Sequence, residues 1–146
     1  MKGAAIMCAG FRYFINPVET VKKIMSHYIK EGQIAVDATV GNGWDTLLLA
    51  ELVGDGGRVY GFDIQGLAIE ITQEKLLANN LDDRVVLIND GHENVDKYID
   101  EEVNFVVYNL GYLPGGDKDI KTNTITTLES VEKMLGLLIN GGLLLI

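Results

Sequence analysis

Short apolar runs alternate with segments of helical spacing along almost the whole chain, and that alternation leaves few folds open. Strands are expected over residues 34–37, 58–63, 84–88, 103–108 and 143–146. Between them the spacing predicts helices over 44–53, 67–79, 93–99 and 124–139. Strands joined through helical crossovers build a parallel sheet with helices on its faces. The run 103–108 is apolar on both faces, as a central strand must be. The expected class is α/β, a mainly parallel sheet of about five strands with flanking helices.

A further helix is expected to begin at Pro17. Asn16 stands where an N-cap belongs, Pro17 suits the first helical position, and Glu19 completes a box-like cap. Val18, Val21, Met25, Tyr28 and Ile29 fall on one helical face, and Gly32 is expected to end the helix. Gly141-Gly142 should turn the chain into its last strand. With 146 residues, 47% of them hydrophobic and 23% charged, the chain is expected to form one domain, 1–146, with a real core. Its last strand is apolar and nothing polar follows, so a carboxyl-terminal truncation of that domain is expected.

The composition also excludes several functions. A single cysteine, Cys8, excludes an intramolecular disulfide framework and a multi-cysteine zinc site, and no metal is expected. A lone cysteine suits a reducing compartment, so a cytoplasmic location is expected. The patch 4–9 is at the short end for a signal-peptide core and is expected to be a frayed start or an early packing segment. No apolar run approaches the roughly 20 residues of a spanning helix, so no membrane partner is expected. A net charge of −9 argues against broad electrostatic capture of nucleic acid. The charge is uneven, however: Lys2, Arg12, Lys22, Lys23 and Lys30 face only Glu19 within the first 30 residues. Such a cluster is either a contact surface or one solvated helix face.

The strongest local signal is Val36-Asp37-Ala38-Thr39-Val40-Gly41-Asn42-Gly43-Trp44-Asp45-Thr46. A strand ends in an acid, and a glycine turn leads into a helix. Glycines tolerate positive φ and let a ligand approach the backbone, and a helix start offers free N–H donors. Asp63 ends the second strand, where an acid can accept from both ribose hydroxyls of a nucleoside. A dinucleotide site wants a third glycine, yet Thr46 occupies that position. Asp37 would also repel a pyrophosphate. S-adenosylmethionine has no phosphate and carries a sulfonium and an amino-acid tail, which Asp37 and the Gly41–Gly43 backbone suit. The nucleoside reading therefore favours S-adenosylmethionine over a nicotinamide, with a purely structural turn as the remaining alternative. Trp44 would line that pocket or be a partly exposed helix aromatic.

Asp90-Gly91-His92 follows the third strand. Asp90 is placed to accept from an adenine amine, or to cap the next helix. His92 is either solvated or catalytic. The fourth strand runs into Asn109-Leu110-Gly111-Tyr112-Leu113-Pro114-Gly115-Gly116-Asp117-Lys118 at the carboxyl edge, where a substrate would sit. An amide side chain and a backbone carbonyl there can accept from an attacking amine and aim its lone pair. Asn109 and Tyr112 are the candidate catalytic residues, Tyr112 by stacking on a base or covering the pocket. The alternative is a glycine-rich loop with no such role.

Four blocks together resemble the small bacterial rRNA methylase family of class I methyltransferases. They are Asp37-Ala38-Thr39-x-Gly41-Asn42-Gly43-x-Asp45-Thr46, Gly61-Phe62-Asp63-Ile64-Gln65, Asp90-Gly91-His92, and the segment from Asn109 to Asp117. The resemblance covers about residues 17–146. It implies a Rossmann-like fold, whose usual seven strands would here lack the last pair. It implies S-adenosylmethionine as cofactor, held by Asp37, Thr39, Gly41, Asn42, Gly43, Asp45, Thr46, Asp63, Ile64, Gln65, Asp90, Gly91, His92 and Asn109. Better-described members resemble tRNA methyltransferases acting on the amine of 5-aminomethyl-2-thiouridine at the wobble position. That implies tRNA as partner, ahead of rRNA, and a homodimer.

On that reading Lys22, Lys23, Tyr112 and Lys118 meet the RNA, with Lys121 beside them. A wobble base is already single-stranded, so stacking and a few phosphate contacts suffice. An alkylamine is protonated at neutral pH, and His92, Asp45 or water would take its proton. Three other functions share parts of the pattern. They are methylation of a small-molecule amine, a truncated non-catalytic cofactor-binding protein, and a nicotinamide-dependent oxidoreductase, which Thr46 and Asp37 disfavour.

Overall fold

The structure is a computed structural model that describes residues 16–110 and 123–146. Tyr112, Lys118, Lys121, the loop glycines after Asn109 and the segment containing Cys8 lie outside the described residues. The elements run α1 (Pro17–Tyr28), β1 (Ile34–Asp37), α2 (Trp44–Val53), β2 (Arg58–Phe62), α3 (Gly66–Ala78), β3 (Val85–Ile88), β4 (Val103–Val107), α4 (Thr124–Leu137) and β5 (Leu138–Leu145). Two 3-10 helices, Asp82–Arg84 and His92–Lys97, precede β3 and β4. The sheet order is β3-β2-β1-β4-β5, and every pairing is parallel.

Local chemistry explains the first boundaries. Asn16 Oδ1 accepts from the N–H groups of Val18 and Glu19 at 3.1 and 3.5 Å, and Pro17 occupies the first turn. The expected single face of α1 is only partly buried. Met25 and Ile29 enter the core and Val21 packs on it, but Val18 and Tyr28 are exposed. The helix ends at Tyr28 rather than at Gly32, which takes φ +83° in the turn before β1.

Side chains of the central strands alternate between two cores. Ala35, Val59, Phe105 and Val107 pack against α1, α2 and α3 through Met25, Ala50, Val53 and Leu76. Val36, Tyr60, Phe62, Val106 and Tyr108 pack on the opposite face against Val95, Ile99 and Met134. Burial on both faces is what a sheet with crossover helices requires, and each fully buried large side chain contributes about 1.5–3 kcal/mol. β4 lies between β1 and β5, in the central position its composition predicts.

Two boundaries differ from expectation for a tertiary reason. The segment expected as a helix over 93–99 is the shorter 3-10 helix His92–Lys97. β5 begins at Leu138 and runs through Gly141-Gly142 instead of starting after them. Pairing with β4 shifts register between Val103–Leu138 and Phe105–Leu143, so the glycines are absorbed in an irregular stretch of strand. A side chain at Gly142 would press on Leu138 and the Asn104 carbonyl.

Candidate cofactor and acceptor site

The sheet order reverses beside β1: the chain moves to β2 and β3 on one side, then crosses to β4 on the other. Ligands of open α/β sheets bind at the carboxyl ends of strands at such a switch point. β1 ends there in Asp37, β2 leads to Asp63, β3 to Asp90, and β4 to Asn109.

The turn between β1 and α2 is held from several directions. Val40 N–H donates to the Phe62 carbonyl at 3.0 Å, and Gly43 N–H to the Val40 carbonyl at 2.8 Å. Gly41 and Gly43 take φ +52° and +78°, which a side chain disfavours. A Cβ on Gly43 would also collide with the buried Thr72 on α3. Asp63 anchors the turn to the next strand: Oδ2 accepts from Gly41 N–H at 2.8 Å and Oδ1 from Gln65 N–H at 2.9 Å. On the other side, Asn109 N–H donates to Thr39 Oγ1 at 2.6 Å.

Asp37 differs from its expected role as a ligand-facing acid. It is fully buried, Oδ1 accepting from Thr39 N–H at 3.1 Å and Oδ2 from Thr46 Oγ1 at 2.6 Å. The pair braces the turn from beneath, and the Thr46 hydroxyl is spent on it. Burial pushes the Asp37 carboxyl up to about 7, against the hydrogen bonds from Thr46 and Thr39 and with the charges of Asp45 and Asp63.

Asp45 stands in the first turn of α2. Burial raises its pKa, while a hydrogen bond with the Asn109 side chain and the positive charge of Lys22 pull it down. Asn109 itself is exposed at the edge. Ile64 presents an exposed apolar surface beside Asp63. Asn42 contributes its carbonyl, which accepts from Lys75 Nζ at 2.5 Å.

The third loop folds around Asp90. Its Oδ1 accepts from Gly91 N–H at 2.7 Å and from Asn94 Nδ2 at 3.0 Å, and Oδ2 accepts from Tyr98 OH at 2.8 Å. The bonds from Tyr98 and Gly91 hold its carboxyl below the usual range. Asp90 therefore gathers its own loop and is not the helix cap, a position taken by Gly91. His92 is not solvated. Its side chain is 11% exposed, packs edge-on against Tyr108 at 5.5 Å, and has a buried Nδ1 with no hydrogen-bond partner among the described residues. Burial lowers its pKa, opposed by the charges of Glu93 and Asp63.

Lys22 and Lys23 are exposed on α1 and line a shallow cleft with Glu19, Ser26, His27 and Leu48. Three supporting residues were missed at the level of sequence. Lys75 grips the turn and lies 3.9 Å from the Trp44 ring centre, Thr72 fills the space Gly43 leaves, and Tyr98 closes on Asp90. None carries a motif: Lys75 and Thr72 sit on α3 and Tyr98 just after the second 3-10 helix, and only the fold supplies their partners. Trp44 is exposed beneath Lys75.

Among the described residues, no group of three or more His, Cys, Asp or Glu gathers as a metal site would require. No helix there is long and apolar enough to cross a membrane.

Comparison with known proteins agrees with this geometry. The family described as "Putative rRNA methylase" matches residues 59–146. A crystal structure of a "putative rRNA-methylase" from Clostridium thermocellum shares 51% identity and a TM-score of 0.86, covering 88% of this chain and 69% of that one. A "putative methyltransferase" from Streptococcus mutans, solved in complex with SAH, shares 40% identity and a TM-score of 0.81 over 88% and 70% of the two chains. The "tRNA (mnm(5)s(2)U34)-methyltransferase, chloroplastic" of Arabidopsis thaliana is 38% identical over 136 residues, covering 86% of this chain and 50% of that protein. The chain thus spans about half the length of that curated relative. With the five-stranded parallel sheet, the glycine turn between Asp37 and Asp45 and these identities taken together, the chain belongs to the family described as "Putative rRNA methylase", with the Rossmann-like fold of class I methyltransferases.

Proposed function

We propose that the chain is an S-adenosylmethionine-dependent RNA methyltransferase acting on the amine of 5-aminomethyl-2-thiouridine at the tRNA wobble position. The observation that carries the cofactor is the acid-flanked glycine turn at the switch point. Asp63 accepts from Gly41 N–H, Asp45 stands in the first turn of α2 just beyond Gly43, and Asp37 braces the turn from beneath, with the exposed Ile64 beside Asp63. Acids around a side-chain-free cradle suit a phosphate-free nucleoside with a cationic centre, and would repel a pyrophosphate. The substrate rests on the named activity of the 38% identical relative.

Asp63 is the residue for the ribose hydroxyls, and Ile64 offers an apolar face for the adenine. The Gly41–Gly43 backbone and the α2 N-terminus receive the amino-acid tail, with Asp37 setting their shape. The cofactor supplies a methyl group already activated on sulfur, so the chain needs no strong acid or base for the transfer. Its work is positioning and exclusion of water. Asn109 is the acceptor for the amine N–H, aiming the nitrogen lone pair. Lys22, Lys23 and, beyond the described residues, Tyr112 and Lys118 are the RNA-facing set. We further propose a cytoplasmic homodimer.

The test is transfer of labelled methyl from S-adenosylmethionine to tRNA bearing 5-aminomethyl-2-thiouridine. Unmodified tRNA, rRNA and small alkylamines serve as parallel acceptors. Label on the wobble nucleoside of the modified tRNA is the expected result. Label on small amines alone would replace the RNA by a metabolite. Light scattering at working concentration tests the dimer, a monomer mass overturning it.

A further inference from the structure

Trp44 is the only tryptophan in the chain, and it is 64% exposed. Tryptophan side chains on average bury most of their surface, so packing does not account for this one. The ring is nevertheless held in place. Lys75 Nζ lies over it, 3.9 Å from the ring centre, and donates to the Asn42 carbonyl at 2.5 Å. The ammonium thus ties the indole to the glycine turn, and attraction between cation and ring keeps it there. A flat partner would meet the face that Lys75 leaves.

The place of Trp44 on α2 points to the kind of partner. Trp44 opens the helix and Leu48 follows four residues later, so both lie on one side of it, about 6 Å apart along the axis. Leu48 lines the cleft where Lys22, Lys23 and His27 of α1 stand exposed beside Glu19. The basic cleft therefore leads along α2 to the indole, and the indole stands next to Gly43 of the turn. Cations that follow a backbone, with an aromatic plate at their end, are what single-stranded nucleic acid requires.

We infer that Trp44 is a stacking platform for one unpaired RNA base, a neighbour of the nucleotide that enters the site. This deepens the methyl-transfer reading above and rests on RNA being the substrate. Lys22 and Lys23 take backbone phosphates, and Trp44 takes the base. Every base has a π face, so the platform supplies affinity and register, and the reacting nucleotide supplies the choice of substrate.

The test uses the whole chain and reads its single tryptophan by intrinsic fluorescence. S-adenosylhomocysteine is added first, to saturation, and an anticodon stem-loop RNA second, so that each contribution is read alone. The RNA step should quench the emission. Trp44→Ala should weaken tRNA binding about 5- to 150-fold, the range that one stacked base gives on alanine substitution, with an unchanged salt slope because no phosphate contact is lost. Trp44→Phe keeps an aromatic plate and should recover most of that loss. In turnover, Trp44→Ala should raise KM for tRNA and leave kcat within about threefold, as loss of a uniform binding contact does. Calorimetric affinity for S-adenosylmethionine should be unchanged. Emission that ignores the RNA, or Trp44→Ala binding tRNA as tightly as the parent, overturns the inference. Loss of cofactor affinity in Trp44→Ala overturns it as well, moving the ring to the cofactor. Methylated tRNA with a silent Trp44 removes the platform and leaves the reaction. Quenching by RNA without methyl transfer removes the reaction and leaves the platform. A chain that binds no tRNA removes both.

Discussion

The Asp63 carboxylate accepts from the Gly41 backbone N–H at 2.8 Å, joining the end of β2 to the glycine turn that follows β1. Its other oxygen accepts from Gln65 N–H, so one side chain shapes both the turn and the start of α3. Asp63→Ala should therefore reduce S-adenosylmethionine affinity at least tenfold. It should also destabilise the fold by about 1.5–3 kcal/mol, the usual worth of a hydrogen bond to a charged group. Calorimetric titration and denaturant unfolding check the two effects. Unchanged affinity would remove Asp63 from the cofactor site.

Gly43 combines a left-handed backbone with contact against Thr72. Gly43→Ala should cost about 1–3 kcal/mol from φ alone, with a further loss from the collision. Adding Thr72→Ala removes both Oγ1 and Cγ2, the two nearest atoms, and should recover only part of it, because the φ strain stays. Thermal unfolding of the single and double variants separates the two costs. Full recovery in the double variant would show that backbone conformation contributes nothing there.

Asp37 couples stability to pH. Its folded pKa of about 7 lies above the ordinary value of 3.8, so between these values the native state binds more protons than the unfolded chain. Stability from this group is therefore greatest below pH 4 and falls as pH rises to about 7. Asp37→Asn keeps an oxygen for Thr39 N–H and a donor for Thr46 without the charge. Its stability advantage over the parent should widen from pH 4 to pH 7 and then level off. A difference that stays flat across that range would contradict the buried, proton-binding carboxyl.

The two lysines of the α1 cleft should respond differently. Lys23→Glu should weaken tRNA binding and reduce its salt dependence by about one unit of slope, with cofactor affinity unchanged. Lys22→Glu should weaken tRNA binding likewise and also raise the Asp45 pKa, because the Lys22 charge holds that carboxyl down. Filter binding across a salt series and an NMR titration of the Asp45 carboxyl give the two readouts. An Asp45 titration that moves equally in both variants would sever Lys22 from Asp45.

Local chemistry made much of the fold readable. Asn16-Pro17 marks the start of α1, and the run from Ile34 to Asp37 followed by Gly41-Asn42-Gly43 marks β1, the turn and the start of α2. These signals act within one or two turns of chain, where cap donors, positive φ and apolar period are decided by neighbours in sequence. The acid after β2 and the amide after β4 were visible for the same reason: each ends an apolar strand.

What the side chains do to one another was decided by strand order. With β1 between β2 and β4, Asp63 reaches Gly41 and Asn109 reaches Thr39. The same packing buries His92 against Tyr108, lays Lys75 over Trp44, and leaves Val18 and Tyr28 exposed among the described residues. Pairing with β4 draws Gly141-Gly142 into β5, because a strand edge holds backbone bonds that a free turn would leave to water. The sequence by itself determined the elements and their order, through forces that act over a few residues. Only the tertiary structure decided which acid braces the turn and which anchors it. Those roles depend on burial and on contacts between residues far apart in sequence.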